Sequence, residues 1–321
     1  MKFASAPGKV ILFGEHAVVY PCKEFPDTKP HYGIAAAVNK RAKVRARRIP
    51  EYGIRVVQMN GTEKKVFEAD FSMRTVVRGI LDCYNVDGGI EIEINSEVPR
   101  GSHLGSSSAV FAAAAAAVLL ECEEKITPKI VSYFARLGDK VIVGTPSGID
   151  DTTVSYGGWI KYVKESAAKG TPMPLDMKRE IKFVVGSTGV CSDTGKVVGD
   201  LKRKIFVDSS LLNYLDKINE ICDAGEEALR NNDMRGLGEA MNANHEILKM
   251  LGVSHEKLDD ICKIAFSAGA YGAKMTGAGW GGCAIAVADE PEKIVNALVA
   301  AGYEAFVAEL GCEGVREEKN L

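Results

Sequence analysis

The chain predicts an α+β fold in two parts. Three observations carry that expectation. Its 321 residues exceed the size at which one hydrophobic core usually stops growing. Strand-like and helix-like patterns are mixed through the first half, while the second half gathers helices between strands. The composition also breaks at residues 164 to 180, where "KESAAKGTPMPLDMKRE" is charged, carries prolines and has no apolar period. A junction is therefore expected there, dividing the chain into residues 1–168 and 169–321.

The elements follow in order. "KVILF" at 9 to 13 reads as a strand with Lys9 at its start, followed by a turn holding Glu15 and His16. Residues 33 to 48 read as a second strand, ending in alternation of small apolar and basic residues that suits a sheet with one wet face. "SMRTVVRGILDCYNV" at 72 to 86 reads as a helix. "GIEIEINSEVP" is the clearest strand, because Ile90, Ile92 and Ile94 share one face and the glutamates the other. The alanine-rich run "VFAAAAAAVLL" predicts a helix buried nearly all round. "GTPSGIDDTTVSYGGW" at 144 to 159 reads as a loop carrying the paired acids Asp150 and Asp151. Beyond the break, "IKFVVGSTGV" reads as a strand, followed by helices near 209 to 231, 234 to 251 and 255 to 268. "CAIAVAD", "EPEKIVNALVAAGY" and "EAFVAEL" then give strand, helix, strand. That order predicts a split βαβ layer with helices on one face.

Composition narrows the chemistry. With 46% hydrophobic and 26% charged residues the chain has the make-up of a globular domain. A formal charge of -3 argues against a generally basic nucleic-acid binder, so no nucleic-acid partner is expected, although a small anion could still bind through local fields. Eight cysteines (Cys22, Cys83, Cys122, Cys191, Cys222, Cys262, Cys283 and Cys312) are scattered with no CxxC pair, which predicts reduced and mostly buried thiols. The start "MKFASAPGKV" lacks an apolar signal core, and the run Ala109 to Leu120 is too short to cross a bilayer. The expectation is a cytoplasmic protein with no membrane partner.

Two glycine-rich stretches point to phosphate. "VPRGSHLGSSSA" places Gly101, Gly105 and three serines immediately before the alanine-rich helix. Unblocked backbone N–H groups and the positive end of the helix dipole meet there, as an anion cradle requires. Serines that merely cap the helix are the competing account. "KMTGAGWGGCAIAVA" adds Gly277, Gly279, Gly281 and Gly282 in the other half, more glycine than an ordinary turn needs.

Taken together, "APGKVILFGEH", "VPRGSHLGSSSA" and "KMTGAGWGGC", in that order and at opposite ends of the chain, resemble the three motifs of the GHMP kinase family. "GEHAVVY", "GTPSGIDDTTVSYGG" and "MNANHEILKMLGVSHEKLDDICKIA" are most similar to its mevalonate kinase branch. The resemblance implies a first domain like domain 2 of ribosomal protein S5, a ferredoxin-like second domain, and ATP meeting its acceptor in the cleft between them. It implies phosphorylation of the primary hydroxyl of (R)-mevalonate by ATP with Mg²⁺. A homodimer is compatible with it.

The resemblance also assigns residues. Pro99, Gly101, Ser102, His103, Leu104, Gly105, Ser106, Ser107 and Ser108 would surround the ATP phosphates. Ser107 and Asp139 would bind Mg²⁺, Asp139 standing where the family commonly has the longer glutamate. Asp150 would orient or deprotonate the acceptor hydroxyl with Lys9 beside it, Asp151 being the rival on spacing. Glu15, His16, Thr194, Gly277 and Ala278 would contact substrate, with Val18 and Val19 as apolar wall. Two departures stand out: His103 and Trp280 occupy positions where glycine is common. His103 could donate to a phosphate or point into solvent, and Trp280 is expected to pack beside the site. The alternatives are another small-molecule kinase of the family, acting on phosphomevalonate, homoserine or a sugar, or a ligand sensor without catalysis. The sensor is disfavoured because Lys9, Ser107 and Asp150 are all present.

Overall fold

The chain begins with strand β1 (Lys2–Phe13), which pairs antiparallel with the long strand β2 (Tyr32–Ile49). In this computed structural model residues 1–20, 30–60, 63–99, 101–166, 170–177 and 181–319 are described. Next come β3 (Ile54–Asn60), β4 (Glu63–Glu68), helix α1 (Phe71–Cys83), β5 (Gly89–Ser96), α2 (Ser106–Glu121), α3 (Pro128–Val143), α4 (Ile149–Tyr156), β6 (Trp159–Lys164) and β7 (Gly170–Leu175). β2 is the spine of this half, because its 18 residues pair with β1, β5 and β6. Ile90 and Ile92 of β5 are buried, while Glu91 and Glu93 face Arg47 and Arg45 of β2, as the alternation predicted.

The second half contains β8 (Ile181–Ser187), α5 (Thr194–Val207), α6 (Leu212–Asn231), α7 (Met234–Met250), α8 (Glu256–Ser267), β9 (Gly272–Thr276), β10 (Cys283–Val287), α9 (Pro291–Ala300) and β11 (Glu304–Leu310), with a short β12 (Arg316–Glu317) returning to β1. Its strands lie in the order β11-β8-β10-β9, all antiparallel, which is the expected ferredoxin-like split βαβ layer. Leu310 of β11 pairs with Val38 of β2, so one hydrogen-bonded sheet runs through both halves.

Three expectations need correction. The stretch read as a junction without an apolar period contains β7, whose Gly170 to Leu175 pairs with β6; prolines at 172 and 174 hid it, and they are tolerated because among the described strands β7 pairs only with β6, at the sheet's edge. The proposed boundary at 168/169 itself lies outside the described residues. The acids at 150 and 151 lie in the first turn of α4, not in a loop, and there they complement the helix dipole. The thiols are free, but only Cys222, Cys262 and Cys283 are buried among the described residues, whereas Cys83 and Cys191 are exposed. No described helix is long and apolar enough to cross a membrane.

Candidate active site

The β1–β2 register shifts between Pro7 and Gly8, Pro7 pairing with Arg41 and Gly8 with Val38, so that β2 carries the extra residues just before the site's first residue on β1. There the strand closes on the loop before α2: the Lys9 amide donates to the Leu104 carbonyl at 2.8 Å, and a Cβ on Gly8 would come within 2.8 Å of the same oxygen. The two-residue alternation places Lys9 and Ile11 on the side that lines a cavity of about 340 Å³. Lys9 is buried, and its Nζ lies 2.8 Å from Asp150 Oδ1 and 3.2 Å from the His103 carbonyl.

The loop before α2 resolves the two accounts of its serines. The N-cap is Gly105, in the left-handed region at φ 71°, and no side chain caps the helix. Ser106, Ser107 and Ser108 form the first helical turn instead. The orphan N–H groups of that turn are therefore not taken by a side-chain cap, the condition an anion site requires. Gly105 has a second reason to lack a side chain, since a Cβ would lie 2.8 Å from Lys9 Cγ. Alanines 112 to 117 are fully buried, packed between β1, β2 and the helices α1, α3 and α4. Only so small a side chain lets a helix lie this close to neighbours on every side.

Asp139 projects from α3 into the cavity wall. Both its oxygens accept from Ser108 Oγ at 2.9 Å. Burial, and then the charges of Asp151 and Asp150, push its carboxyl well above the usual carboxylate range. Asp151 turns the other way, fully buried, with Ser132 Oγ donating at 2.6 Å and Arg136 Nη2 at 2.8 Å. The neighbouring acids are thus separated by the helix: Asp151 is a structural ion-pair partner, and Asp150, half-exposed, faces the cavity beside Lys9. The buried Lys164 fixes the approach to α4, donating to the Ser147 carbonyl at 2.7 Å and the Pro146 carbonyl at 3.0 Å.

On the opposite wall, His16 Nε2 lies 2.8 Å from the Ala278 carbonyl. A carbonyl can only accept, so Nε2 carries the proton and buried Nδ1 is left as an unpartnered acceptor. Burial pulls this imidazole down to about 4, so it is neutral at pH 7. Glu15 is buried against Lys274 of β9, and burial raises its carboxyl above the usual range. Thr194, Gly277, Ala278, Val18 and Val19 all line the cavity. His103 does not point into solvent: its Nε2 lies 2.9 Å from Ser192 Oγ, and burial lowers its pKa to about 4. Trp280 packs to one side, its indole donating to the Gly252 carbonyl at 3.0 Å.

Sequence reasoning named Ser108 for the phosphates but not as the partner of Asp139, and it missed Arg136, Lys274 and Ser192, the other partners that hold the named residues. Lys274 and Ser108 lay inside quoted motifs, yet neither sequence position nor spacing signals a pairing across 259 and 31 residues. Ile142, Val143 and Val198 add apolar wall that no quoted motif marked.

Residues 72–158 match the GHMP kinases N terminal domain and residues 226–305 the GHMP kinases C terminal domain. The mevalonate kinase of Thermococcus gammatolerans is 34% identical over 345 residues, covering 98% of each chain. That of Homo sapiens is 27% identical and covers 97% of this chain and 93% of its own. The crystal structure of L. major mevalonate kinase in complex with R-mevalonate superposes with a TM-score of 0.79 at 26% identity, covering 97% of this chain and 96% of that one. The motifs, the cavity where they converge and these likenesses over nearly the whole length agree: the chain belongs to the GHMP kinase family.

Proposed function

We propose that this protein transfers the γ-phosphoryl group of ATP to the primary hydroxyl of (R)-mevalonate, giving 5-phosphomevalonate and ADP. One observation carries the chemistry: Lys9 and Asp150, 141 positions apart, form a 2.8 Å ion pair at the mouth of the phosphate loop. The substrate follows from the curated relatives, named mevalonate kinase at 31 to 34% identity. Phosphoryl transfer through a loose transition state asks the protein mainly to hold the reactants in line and to stabilise charge. Backbone N–H groups of the loop and the first turn of α2, Ser106 to Ser108, hold the phosphates, the Leu104 N–H being engaged by Ser102 Oγ, and the α2 dipole adds positive potential. The Asp150 carboxylate accepts the hydroxyl proton or orients the hydroxyl for attack, and Lys9 steadies charge on the acceptor oxygen and the transferring group. His16 Nδ1, a bare acceptor, suits an acceptor hydroxyl.

Four carboxyls line the cavity, those of Glu15, Asp139, Asp150 and Asp193, against the one lysine Lys9, an acidic lining for a polyphosphate. A divalent cation answers that imbalance. Ser107 and Asp139 are hard oxygen donors of the kind Mg²⁺ takes, and both line the cavity. The raised Asp139 carboxyl is what such a site shows before its cation is counted, so the residues fit. Ser107 and Asp139 would hold Mg²⁺, which would supply charge neutralisation on the phosphates, and Ser108 fixes the Asp139 carboxyl in place. An ADP-release assay across mevalonate, phosphomevalonate, homoserine and galactose, with phosphorus NMR of the product, tests the assignment. Turnover of mevalonate to the 5-phosphate is expected. Inactivity with mevalonate and turnover of another acceptor would overturn it.

A further inference from the structure

His103 sits at φ 59° in the loop that cradles phosphate, a backbone region that glycine enters freely and histidine enters at a cost. Strain of that kind persists only when its surroundings hold it. Ser192 Oγ donates to the Gly279 carbonyl at 2.5 Å, so its hydroxyl proton is committed and the His103 Nε2 must donate to that oxygen at 2.9 Å. The ring beds against the glycine turn of the second half, where a Cβ on Gly282 would meet His103 Nδ1 at 2.6 Å and one on Gly277 would meet its Cβ at 2.7 Å. On the other side, the His103 carbonyl accepts from Lys9 Nζ at 3.2 Å, and Lys9 pairs with Asp150. One residue therefore touches the phosphate loop, the reacting pair and the opposite wall of the cleft.

We propose that His103 is a positioning residue, a clasp that through Ser192 and Gly279 closes the phosphate loop onto the second half before nucleotide binds. It rests on the kinase reading above. A cleft held at its working width spares the nucleotide the cost of closing it, so the clasp contributes to nucleotide affinity without touching the reacting atoms. The geometry also explains why the side chain is tolerated: Gly277 and Gly282 leave it room, and Ser192 satisfies the one ring nitrogen that carries hydrogen.

The test is calorimetric titration of Mg²⁺ with a non-hydrolysable ATP analogue, with no acceptor present, into the full chain and its variants. One hydrogen bond's net worth predicts that His103→Gly and Ser192→Ala each weaken binding about three- to tenfold. Because they cut the same link, the double variant should be no weaker than the weaker single one. His103→Gln, whose amide reaches like the imidazole, should recover most of the affinity. In turnover, KM for ATP should rise more than kcat falls in His103→Gly. The melting temperature of His103→Gly should stay within about 4 °C, because relieved backbone strain offsets the added freedom of the unfolded chain. Unchanged affinity in His103→Gly, or losses that multiply in the double variant, would overturn the clasp. The titration needs no acceptor, so a failure of the clasp is read separately from a failure of mevalonate turnover in the unsubstituted protein.

Discussion

Gly105 satisfies two requirements at once: a left-handed backbone that ends the loop and starts α2, and an empty Cβ position that leaves room for Lys9. Gly105→Ala is therefore expected to cost about 1–3 kcal/mol of stability and to lower kcat by displacing Lys9, read by urea denaturation beside the turnover assay. Asp150→Asn keeps the shape of the side chain and removes its charge. It should fold and bind the ATP analogue yet lose about 10²- to 10⁴-fold in kcat, and near-normal turnover would refute the role assigned to Asp150. The Ser108 side chain, as distinct from its backbone N–H, serves Asp139, fixing both of its oxygens. Ser108→Ala should raise the Mg²⁺ concentration for half-maximal rate about tenfold, measured by titrating the cation at saturating ATP. The identities of Lys9, Asp150 and the loop residues were legible in the sequence because their motifs are local runs. The choice of Asp150 over Asp151 gained physical support only when α4 was seen to turn one acid to Arg136 and the other to the cavity.

At the scale of elements, periodicity carried most of the fold. β2, β5, the alanine helix and the strand-helix-strand tail all stand near their expected positions, because each repeats an apolar spacing that one conformation alone can bury. β3, β4, α3, α4, β6, β7, α5, β9 and β12 were not anticipated. β9 is only five residues, "GAKMT", and its lysine disguises a fully buried strand, since the partner that permits burial, Glu15, lies in the other half. α2 is the element with least slack. Ala114 is fully buried in a run buried on every side, so Ala114→Leu is expected to cost about 1–3 kcal/mol through overpacking, and the urea midpoint checks it.

Across the whole molecule, contacts from many elements fix the relation between halves, Lys161 of β6 pairing with Glu226 of α6 among them. Thr276 Oγ1 donates to the Ile11 carbonyl at 3.0 Å and accepts from the Ile11 amide at 2.9 Å, Lys274 pairs with Glu15, and Leu310 meets Val38. Burial also gives the protein an acid limit. His16, His103 and His245 are each pulled down to about 4 by burial, against 6.5 for the free side chain. Between those values the unfolded chain binds protons that the folded chain refuses, so the histidines' contribution to stability is full above about pH 6.5 and is lost as pH falls toward 4, opposed by the raised carboxyls of Glu15 and Asp139. The change in denaturation midpoint between pH 7.5 and pH 5 should therefore shift toward greater acid stability in His245→Gln, and the same change as in the unsubstituted protein would contradict it.

The sequence by itself determined the elements with strong period, the three motif loops and the family they belong to, because backbone conformation and phosphate cradling are written in neighbouring residues. Tertiary structure alone decided which charges are neutralised by which partners, that His103 lies between the halves and not in solvent, and which of two adjacent acids faces the cleft. Those outcomes depend on side chains brought together from distant positions, and the burial that fixes their charge exists only once the two halves have packed.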